Sequence, residues 1–180
     1  MTFLDMEEFE TERLILRRIT KRDAPDMFEY AQNREVSKYL TWDAHDDIYY
    51  TRDYIRFLQK KYRSGEYYDW GIELREESKF IGTCGFSNFD PDNLKAEIGY
   101  VLNPKYHNMG IATEAVKAII EYSFLHLGLH RLEARTVEEN HASQRVLEKC
   151  GFRLEGIFTH ELFLKGEFRN IRHYALINDN

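Results

Sequence analysis

One change of pattern, at Pro104, limits what this chain can fold into. Ala96 to Leu102 is short, aromatic and β-branched and reads as a strand. From Ile111 to Leu127 apolar residues recur at helical spacing, through Ala112, Ala115, Val116, Ile119, Tyr122, Ser123 and His126, and Gly128 supplies the stop. A strand that passes through a glycine turn into a helix calls for a sheet with helices packed on it. The rest of the chain agrees. Leu14 to Ile19 alternates apolar and polar residues and reads as a strand. Helices are predicted from near Asp23 and Pro25, and from Asp47 to Tyr62 with Gly65 ending it. Trp70 to Leu74 and Phe80 to Phe89 are strands, divided from one another and from Ala96 by the turn residues Glu76-Glu77-Ser78 and Asp90-Pro91-Asp92-Asn93. Arg131 to Val137 is a strand and Asn140 to Lys149 a short helix stopped by Cys150-Gly151. Strands near Phe152 to His160 and Arg169 to Ile177 follow. The order predicts an α/β (α+β) fold: one mixed, mostly antiparallel twisted sheet of about seven strands, flanked by about four helices, with a local βαβ unit.

No linker or repeat divides the 180 residues, so residues 1–180 are expected to form one domain. At 43% hydrophobic the chain is too apolar for disorder. Cys84 and Cys150 are far apart and form no ligand-spaced cluster, which disfavours a disulfide framework and a cysteine zinc site. The seven histidines make no ligand-spaced pair, so no metal is expected. The start of the chain lacks a secretory pattern, and no apolar stretch is long enough to span a bilayer, so a cytoplasmic setting and no membrane partner are expected. A net charge of -6 disfavours nucleic acid and suits a cationic partner.

Two segments carry the chemistry. In the first, Asn103-Pro104-Lys105-Tyr106-His107-Asn108-Met109-Gly110-Ile111-Ala112-Thr113, a strand runs through a turn into a helix. The N–H groups of that helix start, with its dipole, suit a phosphate, and Gly110 and Ala112 leave room for a pyrophosphate at the backbone. It is neither a P-loop nor a dinucleotide fingerprint, and taken alone a glycine between a strand and a helix is usually just a turn. In the second, Asn140 caps a short helix and leaves a polar pair, Asn140 and Ser143, on its first turn.

Together these segments resemble the GNAT N-acetyltransferase superfamily, and within it the Rim-type ribosomal-protein N-acetyltransferases. Glu10-Thr11-Glu12-Arg13-Leu14-Ile15-Leu16-Arg17 is similar to the start of that subgroup, and Ala96 to Leu102 to its central strand. His107 to Ala112 sits where the superfamily has Gln/Arg-x-x-Gly-x-Gly/Ala. Asn140-x-x-Ser143 and Cys150-Gly151-Phe152 complete a likeness running from about Thr11 to Ile177. It implies direct acetyl transfer from acetyl-CoA to an amine. The backbone from His107 through Asn108, Met109, Gly110, Ile111 and Ala112 to Thr113 would hold the pyrophosphate. The edge of Tyr100, Val101 and Leu102 would bond the pantetheine arm, where the family splays two strands. Asn140 would touch that arm, and Ser143 would sit by the thioester sulfur. Leu147 stands where many members place a Tyr acid, so Ser143 is the expected partner of the leaving thiolate. Glu97 is a base candidate, with a cross-strand ion pair as its other reading, and Glu161 is a second. Trp42 would wall the acceptor slot, beside Asp43, Asp46 and Asp47. The acceptor is expected to be a ribosomal or other protein N-terminus. Polyamine or antibiotic acetylation, and CoA binding without catalysis, are the alternatives. Relatives of this kind often form homodimers.

Overall fold

The computed structural model describes residues 6–64 and 68–179; Gly65, the expected end of the second long helix, lies outside them. The strands are β1 (Phe9–Glu10), β2 (Leu14–Arg17), β3 (Tyr68–Leu74), β4 (Lys79–Asp90), β5 (Lys95–Leu102), β6 (Arg131–Val137), β7 (Arg153–Leu164) and β8 (Glu167–Ile177). The helices are α1 (Ala24–Ala31), α2 (Arg34–Ser37), α3 (Ile48–Ser64), α4 (Ile111–Leu125) and α5 (His141–Lys149). All eight strands form one sheet in the order β1-β2-β3-β4-β5-β6-β8-β7. Every neighbouring pair is antiparallel except β5 with β6, which α4 connects.

The mixed, mostly antiparallel architecture agrees with the sequence reading, and three details correct it. A two-residue β1 adds an eighth strand, and a four-residue α2 adds a fifth helix. Strand β7 runs on to Leu164, because Leu162, Phe163 and Leu164 pair with Arg169, Phe168 and Glu167 of β8. The joining residues Lys165 and Gly166 both have positive φ, 50° and 88°, as a tight two-residue hairpin requires.

The two faces of the sheet bury different cores. One face carries Leu14, Leu16, Trp70, Ile72, Cys84, Phe86, Ile98, Leu132 and Tyr174 against Ile111, Ala115, Val116 and Ile119 of α4 and Leu147 of α5. Each of the Leu, Ile and Val side chains among them contributes about 1.5–3 kcal/mol through burial. The buried stripe of α4 is therefore narrower than its sequence pattern, since Ala112 is half-buried and His126 exposed. The opposite face holds α1 and α3 through Met27, Tyr30, Ile55, Leu58 and Phe80. Those two helices cover only one side of the sheet, so the charged face of β5, β6 and β8 stays open beside them.

Strand β4 lies so close to β5 at Gly82 that an added Cβ would fall 2.2 Å from the Val101 carbonyl oxygen. Glycine is required there by space, not by dihedral.

Candidate active site

Strands β5 and β6 pair only from Lys95 to Glu97, against Arg131 to Glu133, and then part. The result is a fork, with Glu97 at its base. The register settles which groups line it. Asn103 N–H donates to the Ile81 carbonyl of β4, and Val101 pairs with Thr83. Backbone direction alternates along a strand, so Val101 turns to β4 while Tyr100 and Leu102 turn their N–H and C=O into the fork. Leu102 O already has a partner, His107 Nε2 at 3.0 Å. That contact folds the imidazole back onto the strand instead of towards the helix start.

On one side of the fork stands the start of α4. Asn103, 2% exposed, caps the 3-10 turn Pro104–Tyr106 by accepting from Lys105 N–H at 3.1 Å. Asn108 and Gly110 both adopt left-handed backbone, φ 62° and 78°, which coils the chain sharply into the helix. Among the described residues no side chain caps this end. The first-turn N–H groups of Ile111, Ala112 and Thr113 have no intrahelical partner by geometry, and His107 to Gly110 are exposed. A phosphate fits here.

Arg13 belongs to this site, and its role was hidden in the sequence. Its Nε bonds Glu114 Oε2 at 2.7 Å and its Nη1 bonds the Met109 carbonyl at 2.9 Å. A trans peptide points its C=O and N–H in opposite directions. Holding the Met109 carbonyl towards Arg13 therefore aims the Gly110 N–H away from it. Arg13 Nη2 lies 3.5 Å from where a Gly110 Cβ would stand, a cation beside the open helix end.

The start of α5 closes the other side. Asn140 Oδ1 accepts from Ser143 N–H at 3.2 Å, and Gln144 Nε2 donates to the Glu138 carbonyl at 2.7 Å. Ser143 Oγ lies 2.8 Å from the Tyr100 hydroxyl.

Through the fork, the charged face of the sheet holds a hollow of about 260 Å³ lined by Asn88, Glu97, Glu133, Arg135, Glu155 and His173. Glu97 Oε2 lies 2.9 Å from Arg135 Nε, and its Oε1 accepts from Ser87 Oγ at 3.1 Å. Both oxygens are engaged. Glu161 projects from an irregular stretch of β7 and meets His173 Nε2 at 2.6 Å, while the His173 ring sits 4.2 Å from Phe158. His173 was not singled out by sequence, since nothing in its local spacing links it to Glu161.

The segment between α2 and α3, expected to wall the acceptor slot, packs on the α1 and α3 core and contributes no residue to the lining of the hollow. Trp42 is half-buried, its ring 5.5 Å from His45, whose Nδ1 lies 2.7 Å from Thr51 Oγ1. Burial lowers the His45 pKa. The hairpin tip clamps this segment: Lys165 Nζ donates to the Ser37 carbonyl at 2.6 Å and the Trp42 carbonyl at 3.2 Å, and approaches Asp43 Oδ1 at 3.5 Å. Asp47 caps α3 by accepting from Tyr50 N–H at 2.9 Å. Two of the three acidic residues of this segment thus have structural partners. Among the described residues no group of three His, Cys, Asp or Glu side chains could hold a metal, and no helix is long and apolar enough to cross a membrane.

A forked sheet with an open helix end on one side and a charged hollow on the other is an arrangement that suits an acyltransferase working from acetyl-CoA. Residues 13–153 match the family model described as an acetyltransferase (GNAT) domain, and the chain belongs to that family. It is 34% identical over 172 residues to the uncharacterized N-acetyltransferase p20 of Bacillus licheniformis, covering 96% of this chain and 97% of the relative. Over 105 residues it is 31% identical to the ribosomal-protein-serine acetyltransferase of Escherichia coli (strain K12), covering 58% of this chain and 59% of that one. A crystal structure of a GNAT-family acetyltransferase from Bacillus anthracis matches with a TM-score of 0.85 and 30% identity, covering 95% of this chain and 98% of that one. The protein is an N-acetyltransferase.

Proposed function

We propose that this enzyme acetylates the α-amine of a protein N-terminus, a ribosomal protein's among the candidates, by direct attack on acetyl-CoA in a ternary complex. The observation that carries this reading is the fork, open to α4 on one face and to a charged hollow on the other. Residues His107 to Thr113 hold the pyrophosphate, with Arg13 fixing the turn. Tyr100 and Leu102 offer backbone to the pantetheine arm, and Asn140 stands beside it. The acceptor enters from the hollow, and Trp42 walls its slot outside the hollow's own lining.

An α-amine with pKa near 8 costs only about 1 kcal/mol to deprotonate at neutral pH, whereas a Lys costs roughly 4.6. A modest base suffices. Glu97, engaged by Arg135 and Ser87, serves as a fixed negative charge near the amine. Glu161 with His173 takes the proton, the imidazole Nε2 lying 2.6 Å from the carboxylate. Ser143 hydrogen-bonds the departing sulfur, an easy leaving group because a thiol pKa is near 8.5. The chain acts as one catalytic domain in the cytoplasm, as a homodimer.

Thiol release from acetyl-CoA against a panel of N-terminal peptides, spermidine and aminoglycosides tests this. Release with peptides is expected. Release with spermidine or an aminoglycoside alone would move the enzyme to small-molecule acceptors. CoA binding with no release would make it a non-catalytic CoA binder.

A further inference from the structure

Helix α5 has no phenol of its own on the side that meets the fork. Ser143 lies in its first turn, and Leu147, one turn further along the same side, is buried in the core. The phenol comes instead from the strand opposite. Tyr100 packs against the α4 and α5 side of the sheet and sets its Oη 2.8 Å from Ser143 Oγ and 3.1 Å from the Ser143 carbonyl. Forty-three residues separate the two hydroxyls in sequence, so only the sheet register brings them together.

The hydrogens of such a pair have a limited set of arrangements. The Ser143 carbonyl can only accept, while each hydroxyl donates one hydrogen and accepts at its oxygen. Alone, the serine can turn its hydrogen towards the tyrosine. Once a thiolate forms at the fork, sulfur is the charged acceptor, and the best use of both hydrogens is a one-way chain: Tyr100 to Ser143 Oγ, and Ser143 to sulfur. Burial keeps the tyrosine proton in place by raising its pKa far above the ordinary value, although the hydrogen bond with Ser143 partly opposes this. Tyr100 therefore remains a donor throughout and never carries the charge.

We propose that Tyr100 is a positioning residue for acetyl transfer, its hydroxyl directing the Ser143 hydrogen at the sulfur of the departing CoA. As the amine nitrogen bonds to the acetyl carbon, the carbon–sulfur bond breaks and its electron pair stays on sulfur. The amine proton leaves on the hollow side, and no proton passes from Tyr100. The inference rests on the proposed CoA site and goes beyond it in giving the Tyr100 side chain a task.

The test uses CoA itself, so it needs no acceptor. CoA is bound to the wild-type protein, to Tyr100→Phe, to Ser143→Ala and to the double variant, and the bound thiol is titrated through the ultraviolet absorbance of its thiolate. A hydrogen bond to the thiolate should make the bound thiol about tenfold more acidic than free CoA. Tyr100→Phe should remove at least about threefold of that gain, Ser143→Ala all of it, and the double variant should match Ser143→Ala. Melting curves check that the ring still packs in Tyr100→Phe, and a lost packing contact alone would leave the titration unmoved. With an acceptor in hand, Tyr100→Phe should lower kcat about tenfold while the acetyl-CoA KM stays within about twofold. A Tyr100→Phe protein that binds CoA and titrates like wild type overturns the inference, as does an equal loss of kcat with and without Ser143. A wild-type protein that does not bind CoA overturns the proposed site and this inference together.

Discussion

Helices α4 and α5 both begin at the fork, one on either side of it, and their first turns are built in opposite ways. Helix α4 starts on Gly110 in left-handed backbone with no side-chain cap, and Arg13 reaches from β2's approach to hold the preceding carbonyl. Helix α5 starts on Asn140, whose side chain accepts the Ser143 N–H. The uncapped end keeps its N–H groups and dipole for an anion. The capped end satisfies its own backbone and presents a hydroxyl, which suits a sulfur that gains charge only during the reaction. Under the proposed function the two helix starts divide the work: one binds, the other serves the bond that breaks.

This division predicts that substitutions sort by helix. The largest effect is expected from Ala112→Phe. Crowding the α4 start should cost about 1–3 kcal/mol, roughly five- to 150-fold in CoA affinity by calorimetry, with little change in melting temperature. An unchanged affinity would remove this turn from the site. Arg13→Met should weaken CoA by about tenfold, because the Met109 carbonyl is released and a cation is lost. If the loss appears in stability and not in affinity, Arg13 only braces the fold. Asn140→Ala should do the reverse, lowering stability by about 1 kcal/mol through the lost cap while CoA affinity changes less than for the α4 variants.

The smallest effect is a pH dependence. Glu29 of α1 bonds Lys79, Asn103 and Lys105, tying the helix to the turn that leads into α4. The hydrogen bond from Lys79, then those from Asn103 and Lys105, pull its pKa from 4.5 down to about 2. A folded pKa below the unfolded one means the stabilisation is complete above the unfolded value and is lost as pH falls from about 4.5 to 2. Glu29→Gln should flatten stability over that window in acid melts. Because the carboxylate is about a third exposed, solvent keeps the effect small.

Sequence and structure agree most closely where a signal is local. The turn at Gly110, the cap at Asn140 and the long strands each fit within a window of about a dozen residues, where periodicity and capping operate. Elements too short for a period escaped: β1 has two residues and α2 four. Contacts set by register escaped too. Arg13 meets Met109 across 96 positions and Glu161 meets His173 across 12, and no spacing rule connects either pair. Glu97 was legible as a candidate on the right strand, but its engagement by Arg135 and Ser87 depends on where the fork begins and on the β4 irregularity beside Ser87.

The single ammonium of Lys165 gathers oxygens from Ser37, Trp42 and Asp43, 128 positions away from the first of them. For inheritance, this makes the wall segment of the proposed function and the β7–β8 tip one exchangeable unit split between two stretches of the gene. A wall segment grafted from a relative without its matching tip would leave carbonyls without their donor, and a new tip would cut the old wall loose.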